Sequence, residues 1–136
     1  MQAELTVRRA RRDDFARVRA LLGVPSAASR AERKRFRRLV STLREDLYLA
    51  ERENGDGLEG LAVITYLRGL GPSTAIVRDL HGSPEAMALL LACARERAAA
   101  RGCTRLEVHH DADAPSFAAD PSWREEARIH RRTVTS

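Results

Sequence analysis

Apolar and polar residues alternate along several short stretches of this chain, and this period-two spacing predicts β-strands. The predicted strands cover residues 4–8, 46–53, 58–66, 74–80, 105–109 and 123–133. The glycine-rich segment 54–57 separates the second strand from the third, which predicts a hairpin. A further turn at 69–72 leads to the fourth strand. Strands two to four are therefore expected to form an antiparallel meander.

Two segments in the first third of the chain repeat apolar residues at helical spacing instead. The first begins near Asp13 and ends before Gly23. The second begins with Ser29 and Glu32, whose spacing is that of a capping box. Its apolar stripe consists of Phe36, Leu39, Val40 and Leu43. The second segment is thus predicted to be an amphipathic helix with its basic residues facing outward.

A third helix is predicted to join two strands. Ser83 is a candidate N-cap with Pro84 at the first helical position, and Gly102 ends the helix just before strand 105–109. A helix that connects two strands in this way favours their parallel pairing. With a short fourth helix near residues 114–119, the order predicts a single α/β domain over residues 1–136, with a mixed central sheet and helices on both faces.

The chain carries a formal net charge of +5, and much of its positive charge is concentrated in and just after the second helix. The basic residues there are Arg30, Arg33, Lys34, Arg35, Arg37, Arg38 and Arg44. This segment is interpreted as a solvated face, a surface for an acidic substrate or partner, or a contact for nucleic-acid phosphates. Aromatic residues make up only 4% of the chain, which argues against stacking on bases and hence against nucleic acid.

Other features of the composition narrow the class of protein. No stretch approaches the roughly 18 apolar residues that a membrane span needs, and the first twelve residues are charged rather than led by an apolar signal sequence. Cys93 and Cys103 have neither disulfide-framework density nor metal-site spacing. We therefore expect a cytoplasmic protein without membrane association. His109 and His110 are adjacent on a strand and point to opposite faces, so no metal site is predicted.

The second half of the chain carries motifs that indicate a family. Asp111, Ala114, Phe117 and Trp123 keep the spacing of the pattern N-x-x-A-x-x-[L/F]-Y-x-x-x-G-F, with Ala118 at the position of its tyrosine. The fourth strand ends in the acidic-aliphatic pair Asp79 and Leu80, and the third helix ends in the sequence ARGCTRLE over 100–107. In these residues, and in the element order from residue 5 to about 131, the sequence resembles the GNAT superfamily of acetyl-CoA-dependent N-acetyltransferases.

The resemblance implies transfer of an acetyl group from acetyl-CoA to a small-molecule amine acceptor, and a homodimer is compatible with it. Members of the superfamily hold the cofactor pyrophosphate with a [Q/R]-x-x-G-x-[G/A] loop at a helix N-terminus. Counting back from Gly102 puts Glu85 and Met87 at the glycine positions, whereas an alignment keyed on Asp79 and Pro84 deletes much of the loop. Since Pro84 has no N–H to donate in either case, acetyl-CoA binding is expected to be weak or lost.

The resemblance also implies roles for particular residues. Those placed around the cofactor are Leu80, His81, Gly82, Ser83, Ala86 and Asp111. The tyrosine that protonates the departing thiolate in the family is replaced by Ala118, which leaves Asp79 and His109 as candidate general bases. Asp79 has a competing role as a structural partner of Arg78 or Arg105.

Three functions remain open from the sequence. The first is an acetyltransferase acting on a small amine. The second is a non-catalytic GNAT-like module that binds a partner or another ligand in the same cleft. The third is a nucleic-acid-associated protein that uses the arginine-rich second helix.

Overall fold

The computed structural model describes residues 4–24, 27–53, 55, 57–109, 122, 123, 132 and 134. The elements are β1 (Leu5–Arg9), a 3-10 turn (Arg12–Asp14), α1 (Phe15–Leu21), α2 (Arg30–Ser41), β2 (Glu45–Arg52), β3 (Leu58–Leu67), β4 (Thr74–Gly82), α3 (Pro84–Ala100) and β5 (Arg105–Val108). Their order is the predicted one. The helix predicted near 114–119 and the strand predicted at 123–133 lie outside the described residues, apart from isolated positions.

The five strands form one sheet in the order β1-β2-β3-β4-β5. The first four strands pair antiparallel, and β4 pairs with β5 in parallel through the α3 crossover. The predicted meander and the predicted parallel pair are both confirmed. The sheet is therefore mixed, as the alternation of strands and helices indicated.

Helices cover both faces of this sheet. On the face packed by α3, here called the α3 face, the helix buries four residues that recur every four positions: Ala86, Leu90, Ala94 and Ala98. On the opposite face, called the α1/α2 face, Val18 of α1 and Phe36 of α2 pack on strand residues such as Leu49 and Leu61. Small alanines let α3 lie close to the strands, and the two apolar clusters together form the core.

Two predicted boundaries are wrong for local reasons. Helix α2 ends at Ser41, whose hydroxyl bonds back to the Arg37 carbonyl at 2.7 Å, and Thr42 is already extended. Leu43 therefore lies beyond the helix and is 77% exposed, although the sequence placed it in the apolar stripe. Strand β4 is longer than predicted, because its last residues continue to pair with β3 as far as Gly82.

Three further observations concern the surface of α2, the cysteines and the lengths of the helices. The basic residues of α2 face outward, and Phe36 is the buried residue of that helix. Both cysteines are free thiols. Among the described residues, no helix combines the length and apolarity that crossing a membrane requires.

Candidate functional site

The clearest irregularity of the sheet lies halfway along β4. Pairing with β5 ends at Val77 and Val108, followed by one backbone hydrogen bond from the His109 N–H to the Val77 carbonyl at 2.9 Å. On its other side, β4 has a bulge that leaves Arg78 without a partner in β3. Within the described residues, β4 beyond Val77 thus has a free side facing away from β3. A cleft at this point is what the GNAT resemblance implies.

Both candidate bases lie at this point and on the same face of the sheet. Asp79 pairs with Val63, whose side chain belongs to the α1/α2 face, so Asp79 projects to that face. Val108 packs on the α3 face, and because side chains alternate along a strand, His109 projects to the opposite one. The topology therefore brings Asp79 and His109 together on the α1/α2 face, at the end of the parallel pairing.

The surroundings of these side chains are open and rich in acceptor oxygens. Asp79 is exposed, and it makes no ion pair with Arg78, Arg105 or any other residue that the structure describes. The His109 Nε2 atom lies 3.6 Å from a carboxylate oxygen of Glu107, and each of these side chains is 41% exposed. Two carboxylates and an imidazole on one strip of surface can accept hydrogen bonds from a cationic group.

The residues predicted to surround a cofactor occupy different environments. Leu80 packs against the α3-face core, whereas His81 is exposed on the other face. Gly82 has φ +136°, and a Cβ there would lie 2.3 Å from the Glu59 carbonyl oxygen. Only glycine fits this position, because a side chain would collide with β3. The end of β4 is thus pressed closely against its neighbour.

Strand β4 enters α3 through a single residue, Ser83. The Ser83 hydroxyl accepts a hydrogen bond from the Ala86 N–H at 3.2 Å, and its own N–H donates to the Glu59 carbonyl at 3.1 Å. Pro84 has no N–H, and the Ala86 side chain is fully buried. In this first turn, the Glu85 N–H is the one donor without a partner in the described part of the chain. This geometry corresponds to the alignment that deletes the pyrophosphate loop.

Glu85 does not face the helix terminus as a free charge. Its carboxylate accepts a hydrogen bond from Arg52 at 2.9 Å, and the same guanidinium donates to Glu59 at 2.6 Å. These two bonds, Glu59 first, raise the pKa of Arg52. These contacts tie the N-terminus of α3 to the β2-β3 hairpin, and the shared guanidinium offsets part of the charge of Glu85.

A second polar cluster, not found from the sequence, lies under the other end of α3. Asp46 is only 1% exposed and accepts a hydrogen bond from the Tyr66 hydroxyl at 2.6 Å. Arg9 lies 2.9 Å from its other carboxylate oxygen, as an ion pair rather than a well-directed hydrogen bond. Arg101 stacks 4.3 Å above the Tyr66 ring and donates to the Leu43 carbonyl at 2.7 Å. Burial, followed by the bond to Asp46, raises the pKa of Tyr66.

The remaining predicted site residue and most of the motif that carries the resemblance lie outside the described residues. Asp111, Ala114, Phe117 and Ala118 belong to this group. In the part of the chain that the structure describes, no three His, Cys, Asp or Glu side chains are grouped as metal ligands would be.

Comparisons with known proteins agree on the fold. Neither a protein-family model nor a curated protein sequence matches this chain. Among solved structures, it is similar to glucosamine-6-phosphate N-acetyltransferase from Arabidopsis thaliana, with a TM-score of 0.80 and 11% identity over 96% of this chain and 98% of that one. An acetyltransferase of Trypanosoma brucei has a TM-score of 0.79 and 15% identity over 96% and 100% of the two chains.

A third similar structure is an aminoglycoside acetyltransferase from an uncultured soil metagenomic sample, in complex with sisomicin. Its TM-score is 0.72, with 15% identity over 96% of this chain and 97% of that one. At these identities the likeness establishes the architecture. The chain has the GNAT fold, as the sequence resemblance implied.

Proposed function

We propose that this chain is a non-catalytic GNAT-fold binding module, which takes a small protonated amine beside β4 and has lost the usual hold on acetyl-CoA. The observation that supports this most is the one-residue connection between β4 and α3. A loop that wraps a pyrophosphate needs several free backbone N–H groups at the helix N-terminus. Here Ser83 and Ala86 use theirs within the protein, and Pro84 has none.

The size of the loss follows from the hydrogen bonds that are missing. A bond from a backbone N–H to a charged phosphate oxygen contributes about 1.5–3 kcal/mol. Losing two of them weakens binding by roughly 10²- to 10⁴-fold, before any cost of displacing the Arg52–Glu85 ion pair. Acetyl-CoA is therefore expected to bind this chain far more weakly than a GNAT protein with an intact loop.

The α1/α2 face beside the end of β4 carries groups that suit a cationic ligand. Asp79 has no ion-pair partner among the described residues, and Glu107 lies on the neighbouring strand on the same face. Small amines are the acceptors named in the two enzymes of similar structure, an aminoglycoside acetyltransferase and a glucosamine-6-phosphate N-acetyltransferase. A module that kept the acceptor side of the cleft and lost the cofactor side would bind such an amine without modifying it.

Two titrations test the proposal on the full chain. Calorimetry with acetyl-CoA should give no saturation at micromolar concentrations, and sisomicin or glucosamine 6-phosphate, as amine probes, should give a thermal shift that Asp79→Asn abolishes. Glu53→Gln, which removes an exposed carboxylate next to the β2-β3 turn, is the matched control and should leave the shift intact. Submicromolar acetyl-CoA binding would contradict the proposal. So would equal changes of the amine-induced thermal shift in Asp79→Asn and Glu53→Gln.

Acetyl transfer is the second candidate, because Asp79 and His109 share one face of the sheet where β4 and β5 stop pairing. Positioning alone can supply several kcal/mol of a barrier, so an amine held beside a base can react without the family tyrosine. Under this candidate, acetyl-CoA is consumed in the presence of the amine, and Asp79→Asn or His109→Gln slows consumption at least tenfold. Unchanged free-thiol release by both variants would exclude these residues as bases.

Location and assembly stay predictions. The amine-binding module is expected in the cytoplasm, and sedimentation of the full chain would show whether it forms the homodimer that the resemblance allows.

A further inference from the structure

The outward side of α2 carries an unusual concentration of unpaired positive charge. Six of the twelve residues of the helix are basic, and all six are exposed: Arg30, Arg33, Lys34, Arg35, Arg37 and Arg38. None of them makes an ion pair with any residue that the structure describes. The single acidic residue of the helix, Glu32, is engaged by Arg19 and by the Ser29 cap.

Several arginines outside α2 are paired with carboxylates. Arg8 makes a two-pronged contact with Asp14 and also reaches Glu51, and Arg17 reaches the same Glu51. Arg52 is held between two glutamates. Exposed arginines without an ion pair among the described residues occur elsewhere as well, but α2 groups six basic residues on one helix.

The spacing of the α2 cations makes them repel one another. Arg30 and Lys34, Arg33 and Arg37, and Lys34 and Arg38 each stand four residues apart, which places like charges side by side on one surface of the helix. Such pairs oppose helix formation unless an anion lies between them. A ligand with several negative charges relieves the repulsion in all three pairs and so stabilises the helix.

A shallow, open groove of about 640 Å³ lies along this helix, and the described residues that line it are Arg30, Ala31, Lys34 and Arg37. All four belong to α2, and three of them are cations. Arginine forks pair with phosphate oxygens in two-pronged fashion, and five of the six cations are arginines. No aromatic side chain faces outward on α2, so stacking on nucleic-acid bases has no platform there.

We infer that the exposed face of α2 is a binding site for a small molecule that carries two or more phosphate groups. None of the residues that line this groove is among those placed beside β4, and the inference does not depend on the function proposed there. Arg30, Lys34 and Arg37 bind the phosphates from one side of the groove, while Arg33 and Arg38 extend the positive field around it.

The test uses inorganic tripolyphosphate as the probe, titrated into the full chain by calorimetry. The triple variant Arg30→Gln, Lys34→Gln and Arg37→Gln should bind about 100-fold more weakly, since three charge-assisted contacts of exposed groups are lost. The matched control is Arg68→Gln, Arg95→Gln and Arg105→Gln, which removes three exposed basic residues elsewhere and lowers the net charge equally. It should change the affinity less than about threefold.

Folding is controlled within the same experiment. Because the α2 variant relieves like-charge repulsion, its melting temperature without ligand should be no lower than that of the parent chain. Tripolyphosphate should raise the melting temperature of the parent and of the control variant, but not that of the α2 variant.

Three results would overturn the inference. One is no tripolyphosphate binding at physiological salt. Another is an equal loss of affinity in both triple variants, which would mean that net charge alone attracts the probe. The third is duplex DNA binding more tightly than tripolyphosphate in a manner that the α2 variant abolishes, which would assign the helix to nucleic acid.

Discussion

Replacing the buried Asp46 with asparagine is the sharpest test of how α3 is fastened to the sheet. The carboxylate is 1% exposed, with the Tyr66 hydroxyl at 2.6 Å, Arg9 at 2.9 Å and Arg101 at 3.7 Å. Removing its charge leaves two guanidinium groups without their common counter-ion. Breaking a fully buried pair costs about 3–5 kcal/mol, but Arg9 is 46% exposed and can recover solvation. We therefore expect Asp46→Asn to lower the free energy of unfolding by about 2–4 kcal/mol.

A double-mutant cycle separates the contribution of the Asp46–Tyr66 hydrogen bond to stability from that of the arginine contacts. Tyr66→Phe removes only the hydroxyl and should cost about 1–2 kcal/mol, because Asp46 keeps its arginines. The two changes combined should cost less than their sum, by about 0.5–3 kcal/mol, since the residues share one hydrogen bond.

Urea unfolding followed by circular dichroism measures each of these values, with Glu53→Gln as the control for loss of an exposed carboxylate. A stability loss of less than about 0.5 kcal/mol for Asp46→Asn, equal to that of the control, would refute the view that this cluster anchors α3.

Three further predictions concern other parts of the molecule. Glu85→Gln removes a negative charge beside the N-terminus of α3 and leaves Arg52 with Glu59 as a carboxylate partner. Pyrophosphate, measured by calorimetry, should therefore bind roughly fivefold tighter than to the parent, while Glu96→Gln on the same helix should leave binding unchanged. Gly82→Ala should destabilise the fold by more than about 2 kcal/mol in urea, because its Cβ meets a carbonyl oxygen and its φ is positive; a neutral effect would contradict that contact. The hydrogen bond from Arg8 holds the pKa of Asp14 below its usual value, so this carboxylate contributes stability that is present above about pH 4 and is lost as the pH falls through the folded pKa. In acid titrations of stability, Asp14→Asn should flatten that loss, and an unchanged slope would mean that another group dominates it.

The element order was predictable because it follows from local patterns. Apolar and polar residues alternate along 46–53 and along 58–66, and glycines lie between the two segments. This combination is typical of a β-hairpin. The capping residues Ser29 and Ser83 marked two helix starts correctly, since each hydroxyl accepts a backbone N–H within its own first turn. Signals of this kind depend on residues no more than four positions apart, so they can be recognised in the sequence.

The polar clusters were not predictable, because each joins distant parts of the chain. Tyr66 reaches Asp46 across 20 positions, Arg8 reaches Glu51 across 43 and Arg101 reaches Leu43 across 58. From the sequence, Asp46 was simply the polar start of a strand. Its burial results from the register of β2 with β3 and from the place where α3 ends, neither of which has a local signature.

A single residue joins β4 to α3, and the packing at this corner does not depend on a longer loop. At the corner where β4 meets α3, Gly60 lies so close to the helix that a Cβ on it would be 2.9 Å from the Ala86 side chain. The helix is thus fixed by backbone-to-alanine packing, by the Ser83 cap and by the Arg52–Glu85 ion pair. These contacts tie the helix to the β2-β3 hairpin at the terminus where the GNAT resemblance implies a phosphate site.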